Sequence, residues 1–229
     1  DDPVLVLERE AVAGGVPRHC DHLGYGMRDL GRLTTGPRYA RIMVARAEAA
    51  GARIRTSTMV TGWAGERGLE VTSPAGREVI RPDVIILATG ARERPRAARL
   101  IPGVRCQGIY TTGELQNEVH IKHRPVGTRA VVVGAEPVSW SAVLTLRHAG
   151  CRTAALVTAY ERPESYAVLN AIGRGLAGVP VATGSRVVRI LGGQRVSGVE
   201  IERVATGQRT VVACDTVVTT GDWIPDNEL

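Results

Sequence analysis

No phenylalanine occurs among the 229 residues, and aromatic residues make up only 3% of the chain. A core must therefore be built from Val, Leu, Ile and Ala, which the 44% hydrophobic content supplies. No apolar run approaches the length of a membrane-spanning helix; the longest are the size of strands. The four cysteines, Cys20, Cys106, Cys151 and Cys214, stand far apart with no CxxC pair. That spacing argues against a zinc ribbon and a disulfide framework, and suits a reducing cytoplasm. Lys and Arg exceed Asp and Glu by 29 to 23, with arginine dominating, yet the arginines are dispersed and no aromatic–basic stripe marks a nucleic-acid surface. Asp1 is not an initiator Met, and no charged-then-apolar signal region follows it.

What the sequence does contain is an internal repeat. "GARIRTSTMVTGW" (Gly51 to Trp63) follows the helix-like run "YARIMVARAEAA", and "GVPVATGSRVVRI" (Gly178 to Ile190) follows "LNAIGRGLA". Gly51 matches Gly178, Thr56 matches Thr183 and Val60 matches Val187 without a gap. Each match leads into alternating strands with Gly-containing turns, the pattern of a small antiparallel meander. Each meander then feeds an apolar strand ending on Thr-Gly: "DVIILATG" at Gly90 and "DTVVTTG" at Gly221.

The second copy is complete, opening with "RAVVVGAEPVSW", four apolar β-formers before a glycine turn and a helix. The first copy opens with "PVLVLERE", the counterpart of a second strand, so its first strand and turn–helix are expected upstream of Asp1, roughly 20 to 30 residues. The expected fold is α/β: two Rossmann-like three-layer dinucleotide-binding domains, each a β-meander, a parallel sheet and helices, the second inserted in the first. The expected limits are 1–123 with 215–229 for the first domain and 124–214 for the second.

Several residues are placed for chemistry. Glu8 closes an apolar strand, where an acid accepts hydrogen bonds from adenosine ribose hydroxyls. Gly14 and Gly15 let bare backbone approach a flat ring or a phosphate. Thr89–Gly90 and Gly221–Asp222 repeat one strand ending, and Asp222 adds a carboxylate suited to a polyol chain.

Glu8, the Gly14–Gly15 pair, "ATGARERPRAARLIPG", the second unit and the terminal "TGDWIPD" together resemble the two-dinucleotide-binding-domain flavoproteins, the pyridine nucleotide–disulfide oxidoreductase superfamily. Within it the chain resembles the FAD subunits of opine oxidase, hydrogen cyanide synthase and heteromeric sarcosine oxidase. The resemblance implies that Glu8 holds the FAD ribose and that the backbone at Val60 lies beside the adenine. It further implies that Gly14, Gly15, Ala88, Thr89 and Gly90 line the FAD path, with Gly221 and Asp222 at the ribityl chain.

Two departures bear on the subclass. Disulfide reductases of the superfamily carry two redox cysteines soon after the glycine pair, whereas only Cys20 stands here, which argues against dithiol chemistry. A single-cysteine route through a sulfenic acid stays open. In the second copy, Gly134-Ala135-Glu136 puts an acid where the turn needs a second glycine, and Pro137 removes an amide donor. An acid there could instead cap the helix. "TAYERPESY", after the second strand, shows neither a strand-end acid nor an arginine pair, so NAD(P) binding by this copy is disfavoured.

His19 and Cys20 are the catalytic candidates, by their position after the glycine pair. His19-Cys20-x-His22 offers three ligands with no fourth, so no metal is expected, and His120 and His123 read as one solvated helix face.

The function implied is an FAD-dependent oxidoreductase acting on an amine, amino-acid or opine-type small molecule. Electrons would pass to a partner oxidase subunit or an iron–sulfur centre. The alternatives are an NAD(P)H-dependent flavin reductase of the ferredoxin-reductase or NADH-oxidase type, and a non-catalytic scaffold subunit that keeps the fold.

Overall fold

The computed structural model describes residues 4–227, with the side chains of residues 174, 176 and 177 set aside. Two compact units emerge, Asp1–Ala91 with Pro225–Leu229, and Arg92–Ile224. The outer limits expected at residues 1 and 229 lie outside the described residues.

The first unit contains β1 (Leu5–Leu7), a 3-10 turn (Val16–His19), β2 (Leu23–Tyr25), α1 (Met27–Leu30), β3 (Thr34–Thr35), α2 (Gly36–Ala49), β4 (Arg53–Arg55), β5 (Met59–Trp63), β6 (Leu69–Ser73) and β7 (Gly76–Ile80). β1 pairs parallel with β4, Leu5 opposite Arg53. β2 and β3 pair antiparallel, and β5, β6 and β7 form the antiparallel meander that the alternating pattern anticipates. Proline in the first turn starts α2, and Gly51, at φ +88°, follows its end in the left-handed conformation.

β8 (Ala91–Glu93) and β17 (Trp223–Pro225) run across the two points where the units divide. The second unit then contains β9 (Ile109–Thr111), α3 (Thr112–Gln116), β10 (Arg129–Val133), α4 (Pro137–His148), β11 (Arg152–Val157), α5 (Ala167–Ala177), β12 (Val181–Ala182), β13 (Ser185–Gly192), β14 (Val196–Arg203), β15 (Arg209–Ala213) and β16 (Thr216–Thr219). Five strands make a parallel sheet in the order β12-β11-β10-β16-β9, and β13, β14 and β15 make the meander.

Successive residues of the central strand face opposite ways, as strand geometry requires. Ala130 and Val132 join Leu146, Leu156 and Trp140 in the buried cluster that includes α4, whereas Val131 joins Val187, Ile190 and Val199 in the cluster with the meander. Helix, parallel sheet and meander are thus three layers, and the chain has an α/β Rossmann-like fold with parallel and antiparallel sheets.

The two compact units divide along the chain at Ala91 and Pro225, and β9 and β16 are strands of the second unit's own sheet. One expectation is corrected. The segment "DVIILATG" joins no ladder: Val84 is 76% and Ile86 86% exposed. Its counterpart β16 is held by β10, and a parallel strand with no such neighbour leaves its amides and carbonyls unpaired.

The repeat extends to single hydrogen bonds. Thr58 N donates to Glu8 O as Ser185 N donates to Thr158 O, and Ser57 N donates to Glu10 O as Gly184 N donates to Tyr160 O. The Thr58 hydroxyl donates to Thr56 O as the Ser185 hydroxyl donates to Thr183 O. Ser57 and Gly184 both adopt positive φ, at +50° and +56°. Glu8 of the first copy therefore corresponds to Thr158 of the second.

Asp215 anchors the start of the second unit's sheet. Its carboxylate accepts from Thr128 N at 2.8 Å, the Thr128 hydroxyl at 2.6 Å, Arg129 N at 3.0 Å and the Thr216 hydroxyl at 3.0 Å. Burial opposes ionisation, but these donors outweigh it and bring the carboxyl from its ordinary 3.8 down to about 2. A depressed folded pKa contributes stability that is present above pH 3.8 and lost as pH falls through about 2. Asp215→Asn is expected to cost about 1 to 2 kcal/mol at neutral pH, solvent screening included, and to flatten the acid limb of the stability curve. Thermal melts from pH 7 to pH 2 measure both effects.

Candidate functional site

In the first unit the candidate residues gather at the C-terminal end of β1. Glu8 N donates to Arg55 O at 2.9 Å, continuing the β1–β4 ladder by one residue, and the half-buried Glu8 Oε1 accepts from Glu10 N at 2.8 Å. That bond orients the carboxylate at the strand end. Val60 lies half-buried in β5, opposite Val71. Gly14 and Gly15 follow, at φ +124° and +60°. A side chain on Gly14 would press on Ala40 of α2 at 2.9 Å, so its bareness serves packing; Gly15 is exposed, with nothing nearer than 4.0 Å, so its backbone is open to a ligand. Ala88, Thr89 and Gly90 are exposed, and Gly90 O accepts from Asp226 N at 3.0 Å.

His19 and Cys20 come next on the chain. Burial, then the charge of Arg18, hold the half-buried His19 below its ordinary pKa against the pull of Glu10, which keeps the ring neutral at pH 7. Cys20 is buried, 5% exposed, its thiol donating to Val16 O at 3.5 Å. The Tyr25 phenol, raised by burial and by its hydrogen bond to Cys20, lies against it. A buried thiol packed between these groups offers a peroxide little access, which weighs against the sulfenic-acid option. His22 Nδ1 sits 3.0 Å from Leu23 O, and no group of three metal-ligating side chains occurs among the described residues. His120 lies in a π-helical turn, Asn117–Ile121, and His123 beyond it at φ +51°, so no helix face joins them.

In the second unit the turn between β10 and α4 meets the turn after β16. The Ser139 and Thr220 hydroxyls are 2.7 Å apart, both buried, and a Cβ on Gly134 (φ +137°) would run into Thr220 Oγ1. Ala135 is fully buried beside it. Glu136 is the N-cap residue of α4, yet its side chain makes no cap hydrogen bond, which overturns the capping alternative. The carboxylate lies instead among Gly134, Gly221 and the turn between them. Gly221, expected beside the flavin chain, is in this unit and packs against Glu136.

Three further residues were missed because nothing in "ARERPRAAR" distinguishes one charge from another. Arg99 donates from Nε to Arg94 O at 2.7 Å and from Nη2 to Thr220 O at 3.0 Å and Gly221 O at 2.5 Å. Arg94 Nε stands 3.2 Å from Asp222 Oδ2, a charge contact out of line for a hydrogen bond, and Arg94 N donates to Asp222 O. Asp222, at φ +55°, thus has its carboxylate engaged with an arginine. The buried Glu93 accepts from Gly113 N at 2.9 Å, and burial raises its pKa against that bond. Together they hold the Thr220–Asp222 turn in place.

The sequence pattern of the pyridine nucleotide-disulphide oxidoreductase family matches residues 53–221. No curated protein matches the sequence. Among solved structures, the T. acidophilum thioredoxin reductase is 17% identical with a TM-score of 0.73, over 98% of this chain and 70% of its own. The Lactococcus lactis thioredoxin reductase is 16% identical at 0.73, over 98% and 71%. An NAD-dependent persulfide reductase from A. fulgidus is 20% identical at 0.68, over all of this chain and 43% of its own.

All four thiols are free. Burial, the largest cause for both, pushes Cys151 and Cys214 up to about 11, and Cys20 is buried, whereas Cys106 is half-exposed. Titration of the native protein at pH 8 with an aromatic disulfide reagent is expected to modify Cys106 first and the other three only on unfolding. Peptide mass mapping reads the order; rapid labelling of Cys20 would contradict the geometry around it.

Proposed function

The chain belongs to the pyridine nucleotide-disulphide oxidoreductase family, and from that premise we propose that it is the flavin-binding part of an FAD-dependent oxidoreductase acting on C–N bonds. Its substrate would be an amine, amino acid or opine-type molecule, and its electrons would pass to a partner subunit or an iron–sulfur centre. Proteins of this family bind FAD and are oxidoreductases. The finer assignment rests on the thiols: Cys20 is the one cysteine of the first unit and is buried, whereas a dithiol route to disulfide reduction needs an accessible pair of sulfurs.

The residues at the first unit's strand end suit an FAD in part. Glu8 would accept from its ribose hydroxyls, the exposed backbone at Gly15 would allow close approach, and Val60 would lie near the adenine. When bound, FAD supplies the two-electron acceptor. His19, held neutral, is the group that can take up a proton from the substrate amine. We further propose that the first unit is a dinucleotide-binding domain interrupted by the second. Its pyrophosphate cradle would come from a strand–turn–helix at the position that β10 holds in the second unit; the unpaired Val84–Leu87 supports this. Four free thiols suit a reducing cytoplasm. Among the described residues no helix is long and apolar enough to cross a membrane.

The test is spectroscopic. Protein reconstituted with FAD is expected to show bound-flavin absorbance that an amine or opine substrate bleaches without oxygen and that thioredoxin or a glutathione-type disulfide does not reoxidise. Glu8→Gln should weaken FAD binding by about tenfold, the loss of one charged hydrogen-bond acceptor. Failure to retain any flavin would refute the reading, and rapid reoxidation by a disulfide would return the chain to the reductases.

A further inference from the structure

A Rossmann-type turn has room for a phosphate because its second glycine carries no side chain and the first amides of the following helix face the space. In the second unit that room is taken. Glu136 occupies the second-glycine position, and its Oε1 lies 3.1 Å from where a Cβ of Gly134 would stand. Its carboxyl carbon lies 2.7 Å from the corresponding point at Gly221. Oε1 is buried and has no hydrogen-bond partner, so the side chain is held there by the fit of the two turns and not by a donor.

Independent features point the same way. Ser139, not glycine, stands at the third small position, its hydroxyl committed to Thr220. Thr158 stands where the first copy has Glu8, and its hydroxyl accepts from Tyr160 N at 3.3 Å as Glu8 accepts from Glu10 N. The acid proposed to meet ribose in the first copy is therefore absent from the second, while the backbone hydrogen bonds around the two positions are equivalent. Glu164 adds like charge: burial, then the Glu136 carboxylate, raise its pKa.

We infer that Glu136 is the residue that closes the second unit to nicotinamide dinucleotides. This rests on the family reading for the expectation that such a turn would otherwise hold one, and it deepens the proposed electron route, since a closed second unit gives NAD(P)H no seat from which to reduce a flavin. A pyrophosphate entering the turn would meet a carboxylate at contact distance in a partly desolvated site, and both volume and charge oppose it.

The experiment titrates the ¹⁵N-labelled full chain with NADH and follows the amides of Gly134 and Gly221. In the wild type they are expected to stay unmoved up to millimolar NADH. In Glu136→Gly they should shift, with affinity at least tenfold higher. Glu136→Gln, which removes the charge and keeps the volume, should fall between, and adding Thr158→Glu to Glu136→Gly should tighten binding again. Glu136→Ala keeps a Cβ at the ordinary φ of −89° and serves if the glycine variant does not fold. Wild-type shifts at Gly134 and Gly221 with NADH would overturn the inference, as would a well-dispersed spectrum of the alanine or glycine variant that NADH leaves unchanged. Shifts at Glu8 and Gly15 on addition of ADP report on the first unit alone, so the flavin reading stands or falls separately.

Discussion

A strand inside a parallel sheet must have its amides and carbonyls satisfied on both edges, because its buried faces leave no water to do so. In the second unit β10 has a parallel neighbour on each edge. β16 pairs with it without a break and β11 with one register shift between Ala130 and Val131, and the pairing continues past the strand ends, Gly134 N donating to Val157 O and Thr220 N to Val133 O. Val131 and Val132 then fall on opposite faces, and each builds one of the unit's two hydrophobic clusters. The Asp215 carboxylate fixes the entry to β10, so both ends of the strand are tied.

From this pairing the character of the crevice follows. Because β10 and β16 are neighbours, the turns that leave them come into contact, closely enough that Gly134 has no space for a side chain and Ser139 meets Thr220. Arg99 holds the second turn by its carbonyls. In a dinucleotide-binding protein the same closeness concentrates backbone amides on a phosphate. Here it receives Glu136 instead, and a scaffold suited to an anion presents a carboxylate.

Much of the fold could be read from the chain because its signals are local. Gly51 and Gly178 end helices in the left-handed conformation, the alternating stretches after them become meanders, and the unbroken match between the copies reappears as equivalent hydrogen bonds around Glu8 and Thr158. Nonlocal facts were harder. "DVIILATG" has the composition of a buried strand, but pairing depends on a neighbour that composition does not name. β9, three residues long, carries no local signal that it joins a sheet whose other strands lie beyond residue 128. Arg94 and Arg99 sit in a run of dispersed charge whose partners, Asp222 and the Thr220–Gly221 carbonyls, are more than a hundred residues away.

The sequence by itself determined the repeated α/β unit, the acid at the end of β1, the shortage of paired cysteines and the acid at Glu136, since each depends on residue type at a given spacing. Only the tertiary structure decided what those residues face. Glu136 could have capped its helix, and its direction was set by the approach of the Gly221 turn; Cys20 could have been a reactive thiol, and the packing around Val16 and Tyr25 buried it. Spacing along the chain fixes which backbone conformations are open, whereas the environment of a side chain depends on segments that the folded sheet brings to it from far away in sequence.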